Sequence, residues 1–178
     1  MIYWQNNHII NLFICTLILL VSCKEKQPKV SEEEIRATEK KMIEVNRIML
    51  SKDKRRIEGY IEREQLDMHE SPTGLWYFIQ NPDSGDLIKP GMSVRLEYSV
   101  GLLDGAICYT SEKDGIKSFR VGRGGVESGL EEGMLMMKVG GIAKFIMPPH
   151  LAYGLPGDGA CIPARAIIIY DIRVLSAE

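Results

Sequence analysis

Residues 126–133 read Val126-Glu127-Ser128-Gly129-Leu130-Glu131-Glu132-Gly133, and Leu130 is followed by Met134 and Met137 at helical spacing. Apolar residues recurring in that pattern share one helix face, so a short helix is expected over 126–137, entered from the flexible Gly124-Gly125. The flanking segments alternate with a period of two instead. On the N-terminal side, 93–101 sets Val94, Leu96, Tyr98 and Val100 against Arg95, Glu97 and Ser99, the pattern of a half-buried strand. Leu102-Leu103-Asp104-Gly105 carries a turn signal, with 107–110 as the returning strand and 117–121 as another short one. On the C-terminal side, 142–147 is apolar at nearly every position and stops at Pro148-Pro149, while 167–175 sets Ile168, Tyr170, Ile172 and Val174 against Asp171 and Arg173. One short helix among several antiparallel strands is an α+β domain.

The chain around this domain is uneven. Over 178 residues, 22 Lys+Arg against 24 Asp+Glu give a net charge of −2, which leaves no footprint for a polyanion and excludes nucleic acid as an expected partner. At 45% hydrophobic residues the chain is not wholly disordered. The four cysteines, Cys15, Cys23, Cys108 and Cys161, form no CxxC pair, so no zinc or thioredoxin-like motif is present. Gly122-Arg123-Gly124-Gly125 lacks the βαβ context of a phosphate loop and reads as a turn, as does Asp83-Ser84-Gly85-Asp86, which reads as a hairpin turn. His69 and His150 have no sequence partners, and no cofactor or metal is expected.

Residues 1–22 contain no charged side chain, and their apolar run, 9–21, is shorter than the ~20 residues a membrane-spanning helix needs. It has the length of a signal-peptide core and ends in Leu20-Val21-Ser22-Cys23, which resembles a bacterial lipobox. The expectation is a lipoprotein signal peptide over 1–22, lipid on Cys23, a charged helical arm through 73, and a globular domain over 74–178. The arm balances acids and bases. It starts at Ser31-Glu32-Glu33-Glu34, a helix N-cap with acids in the first turn. Apolar residues recur at Ile35, Met42, Val45 and Met49, then at Ile57, Tyr60 and Ile61 after a polar break at 51–56. One long helix or two shorter ones fit this pattern. As a solvated spacer the arm holds the domain off the membrane; alternatively its stripe, within 31–69, docks on a partner or a second copy.

Tyr98 on its strand, Leu103-Asp104-Gly105, the 126–133 segment, 136–140, Ala152-Tyr153-Gly154, Gly157 to Ile162-Pro163 and Tyr170-Asp171-Ile172 stand in a specific order over about a hundred residues. In that order the domain resembles the FKBP-type peptidylprolyl isomerases. With the lipobox and charged arm, the architecture resembles the gliding-motility-associated FKBP lipoproteins of Bacteroidota. The resemblance implies an antiparallel half-barrel sheet wrapped around one short helix, with a proline-binding pocket between them. Its walls would be Tyr98, Phe119, Val126, Ile162 and Tyr170, and its floor Leu130, where many members have Trp. The Glu127 backbone N–H would receive a substrate carbonyl, leaving its side chain of little consequence, and the Tyr153 hydroxyl would bind the carbonyl beside the prolyl bond.

The implied activity is cis–trans isomerisation of X–Pro bonds in unfolded or exported polypeptides, at the periplasm-facing outer membrane of a bacterial envelope. Alternation alone would make Tyr98 and Tyr170 ordinary core aromatics, whereas Tyr153 sits in a loop. The chain departs from the family at Cys108-Tyr109, where an aromatic and an Asp are usual, at Leu130, and at Lys117, where another pocket aromatic is common. These changes imply weak or substrate-selective catalysis, poor binding of macrolide inhibitors, or a catalytically inactive chaperone or assembly factor on the same fold. Cys108 and Cys161 fall on opposite sides of the implied pocket mouth and are expected as reduced, small wall residues; oxidised together, they would instead pin the loop 154–163.

Overall fold

The computed structural model describes residues 31–178, so the apolar run 9–21 and Cys23 lie outside the described residues. Helix α1 (Glu32–Glu64) is continuous. Its start is a capping box: the Glu34 N–H donates to Ser31 Oγ at 3.2 Å, and the Ser31 N–H donates to Glu34 Oε2 at 2.9 Å. The polar stretch 51–56 does not break it, because nothing there removes a backbone donor. Of the two units into which the chain divides, the second, Ile43–Glu178, begins within this helix. Among the described residues no helix is long and apolar enough to cross a membrane.

The second unit is built on one antiparallel sheet. Its strands are β1 (His69–Glu70), β2 (Trp76–Gln80), β3 (Ser93–Leu102), β4 (Ile107–Thr110), β5 (Lys117–Arg120), β6 (Ile142–Met147) and β7 (Ile168–Ala177). The order is β1-β2-β6-β7-β3-β4, and β5 pairs with the first half of β3. Helix α2 (Ser111–Asp114) follows β4, and helix α3 (Ser128–Met134) lies against the sheet. Thus the α+β class and the short helix stand as expected, with α3 shorter than 126–137. Strands β1 and β2 were not anticipated: 75–79 is apolar without alternation. The segment 83–86 is a bend on the way from β2 to β3, and since β2 pairs with β1 and β6, no hairpin turn forms there.

Alternation places Val94, Leu96, Val100, Tyr170, Ile172 and Val174 on the inner face, where they meet Leu130 and Met134 of α3. Two glycines let α3 approach that closely. A Cβ at Gly133 would sit 2.4 Å from the Phe145 ring, and one at Gly129 would sit 3.0 Å from the Met147 sulfur. The outer face explains why 142–147 and 167–169 do not alternate. Ile146, Ile167 and Ile169 are buried there against Ile57, with Tyr60 and Ile61 packed beside them. Those three helix residues therefore have their apolar partners within the chain. Arg165 also donates to the buried Asp53 at 2.8 Å, fixing the middle of the helix to the loop before β7.

Candidate active site

The site lies where β3, β5, β7 and the N-terminus of α3 meet. In register, Val94 faces Phe119, Leu96 faces Lys117 and Val100 faces Tyr170. These pairings bring together the residues read from sequence. Leu130, Ile162 and Tyr170 are buried in one cluster, with Tyr98, Phe119, Val126 and Tyr153 partly buried against it. The Tyr98 and Tyr170 rings lie 6.2 Å apart, tilted. A cavity of about 310 Å³ is lined by Lys117, Gly125, Val126, Glu127, Ala152 and Tyr153. Glu127 has the extended backbone of a helix N-cap, with no hydrogen bond from its side chain to the helix start, and its N–H finds no acceptor among the described residues.

Two side chains give the site a polar end. The Glu127 side chain, only 4% exposed, accepts a hydrogen bond from the Tyr170 hydroxyl at 3.0 Å, and its other oxygen, Oε2, is buried without a hydrogen-bond partner. Lys117 donates to the Tyr170 hydroxyl at 2.8 Å and lies 4.0 Å from Glu127 Oε2. Its ammonium sits 5.0 Å from the Tyr98 ring centre and 5.4 Å from that of Tyr170, within cation–π range. Burial, and then the charge of Glu127, push the Tyr170 hydroxyl far above its ordinary pKa; Tyr153 is raised by burial and by its interactions with Glu127. Both therefore remain protonated donors at neutral pH. The Glu127 side chain, expected to be of little consequence beside its backbone N–H, has its carboxylate in the site. The available signal was the paired oddity of an acid at the helix entrance and a lysine on a short strand.

The loop after Tyr153 is held at two adjacent points. Cys108 and Cys161 form a disulfide with Cα atoms 5.5 Å apart, a spacing such bonds need; this replaces the expected free thiols. Their sequence separation of 53 hid a proximity that β4 and the loop create. Next to it, the Tyr109 hydroxyl donates to Asp158. Asp158 also accepts from the Ala160 and Ile162 N–H groups at 2.8 Å each. Burial opposes ionisation of Asp158, but the hydrogen bonds from Tyr109, Ala160 and Ile162 outweigh it and hold the carboxyl below its ordinary pKa.

Residues 85–175 match the family model of FKBP-type peptidyl-prolyl cis-trans isomerases. The chain is 34% identical over 113 residues to the probable FKBP-type peptidyl-prolyl cis-trans isomerase of Haemophilus influenzae, covering 63% of this chain and 46% of that protein. It is 38% identical over 98 residues to FK506-binding protein 4 of Chaetomium thermophilum, covering 53% of this chain and 20% of that one. The chain thus spans less than half the length of these curated relatives. Among solved structures, the crystal structure of AtFKBP13 aligns with a TM-score of 0.60 at 27% identity, covering 63% of this chain and 99% of that one. The crystal structure of FkpA from Escherichia coli aligns with a TM-score of 0.59 at 23% identity, covering 99% of this chain and 92% of that one, a likeness of fold alone.

Proposed function

Because the chain belongs to the FKBP-type peptidyl-prolyl cis-trans isomerase family, we propose that it catalyses rotation about X–Pro bonds of exported polypeptides from a lipid-anchored position. The observation that carries this reading is a cavity lined by Val126, Glu127 and Tyr153 next to buried Leu130, Ile162 and Tyr170. Rotation about a peptide bond meets a barrier of about 18–20 kcal/mol because twisting breaks amide resonance. The planar amide is the more charge-separated form, so an apolar pocket favours the twisted one. Donors fixed for the rotated carbonyl add stabilisation that the ground state does not receive. Protonated Tyr153 and the free Glu127 N–H are such donors, and the step needs neither nucleophile nor proton transfer.

The anchor is carried by the apolar run 9–21 and the lipobox-like Leu20-Val21-Ser22-Cys23. In this reading the protein faces the periplasm from a bacterial outer membrane. The narrower likeness to gliding-motility-associated lipoproteins rests on the order of lipobox, charged segment and isomerase domain. Incorporation of labelled palmitate into the wild-type protein but not into Cys23→Ala is the expected result; equal labelling would remove the anchor from the account.

A second reading, a chaperone or assembly factor with weak catalysis, is favoured by the Lys117–Glu127 pair in the pocket and by Tyr109 in the place of an acid. Refolding of a substrate limited by proline isomerisation separates the two. A catalyst accelerates the slow phase, which takes tens of seconds uncatalysed, at amounts far below the substrate. A chaperone suppresses aggregation only at amounts near the substrate and leaves that phase unchanged.

A further inference from the structure

The isomerase reading assigns Lys117 no task, yet its ammonium lies beside both tyrosine walls. Its distances to the Tyr98 and Tyr170 ring centres, 5.0 and 5.4 Å, hold it within cation–π range of both. An ammonium carries three donors. One is used on the Tyr170 hydroxyl at 2.8 Å. Glu127 Oε2, at 4.0 Å, is too far to take a second. The side chain lines the 310 Å³ cavity and is 22% exposed, so its remaining donors have access to what enters.

Stability does not account for this arrangement. A charge pair inside an apolar pocket loses hydration that apolar residues of similar size would not have to lose, and here it also leaves Glu127 Oε2 unpartnered. What the arrangement achieves is placement: Tyr170 accepts from Lys117 and donates to Glu127 Oε1 at 3.0 Å, so the hydroxyl locks the ammonium and the carboxylate balances its charge.

We propose that Lys117 is a further catalytic residue, whose ammonium donates a hydrogen bond to the prolyl nitrogen of the substrate as the amide twists. In the planar amide the nitrogen lone pair is delocalised into the carbonyl and accepts poorly. At the twisted state it is localised on nitrogen and becomes an acceptor. No bond forms or breaks and no proton is transferred; the hydrogen bond strengthens only on the way to the transition state, so it acts on turnover and not on binding. The proposal rests on the isomerase reading of the same site.

The test measures turnover and peptide affinity together, by exchange spectroscopy and calorimetry on one X–Pro peptide, for the wild-type chain and for Lys117→Met, Lys117→Gln and Lys117→Arg. Lys117→Met is expected to lose about tenfold or more in kcat while its Kd stays equal or tightens against the more apolar wall. Lys117→Arg, still a cationic donor, should recover part of the rate, and Lys117→Gln, a neutral donor of similar reach, should fall between. A Lys117→Met variant as fast as or faster than wild type overturns the proposal. So does a loss confined to Kd, which would make Lys117 a binding residue. If Lys117→Met does not fold, the ordering of Arg above Gln decides alone. Absence of turnover in the wild-type chain removes the isomerase reading and this proposal together, whereas normal wild-type turnover with no Lys117 effect removes only the proposal.

Discussion

Lys117, Tyr170 and Glu127 form a connected polar chain inside a cluster that is otherwise apolar, and its energetics are those of a buried ion pair. Removing one partner leaves the other without its countercharge, whereas replacing both by apolar side chains removes the desolvation cost as well. Lys117→Met alone should therefore lower stability by about 1–3 kcal/mol. Lys117→Met combined with Glu127→Leu should return to within about 1 kcal/mol of wild type or exceed it. Urea denaturation of the single and double variants checks this; additive losses would mean that the pair is not coupled. Each of the three was placed at the site by motif order, but their connection through side chains was not legible in the sequence. Glu127 reads as a helix-entry acid and Lys117 as a strand residue, and only the pairing of β5 with β3 and the placement of α3 bring them to 4.0 Å.

At the scale of elements, alternation marked the strands with one buried face, and 142–147, covered on both faces, was marked only by its apolar run and the prolines that end it. The alternation of 93–101 and 167–175 foretold β3 and β7 nearly to their ends. Strand β2 escaped because Trp76 packs on the outer cluster while Tyr77 and Ile79 pack on the inner one, so no polar residue marks the period. The same cause hid the docking of α1 through Ile57. The loop after Tyr153 is pinned by two neighbours on β4, Cys108 covalently and Tyr109 through Asp158. Reduction should free the loop for proteolytic nicking between 154 and 163 and lower stability by about 2–4 kcal/mol; unchanged cleavage after full reduction would deny the disulfide this role. The Asp158 contribution has the opposite dependence to that of a raised group. Its folded pKa is depressed, so its stabilisation is complete above the ordinary value of about 4 and is lost as pH falls through the lower folded value.

At the scale of the whole molecule, the sheet of the unit 43–178 is covered by α3 on its inner face and, around Ile146, Ile167 and Ile169, by the second half of α1 on its outer face. This arrangement lets a small domain bury enough apolar surface to hold an open, partly exposed site on the inner side. The family, the class of fold and the grouping of Tyr98, Phe119, Val126, Leu130, Tyr153, Ile162 and Tyr170 were legible because motif order carries them. The polar end of the pocket and the covalent tie across its mouth depend on contacts between segments far apart in sequence. The central claim is catalysis of prolyl rotation, and exchange spectroscopy on a short X–Pro peptide tests it most directly. The cis–trans exchange rate should rise in proportion to protein added at substoichiometric amounts, and Tyr153→Phe should lower that gain about tenfold or more. An exchange rate that stays at the spontaneous value while the peptide is bound would contradict the account.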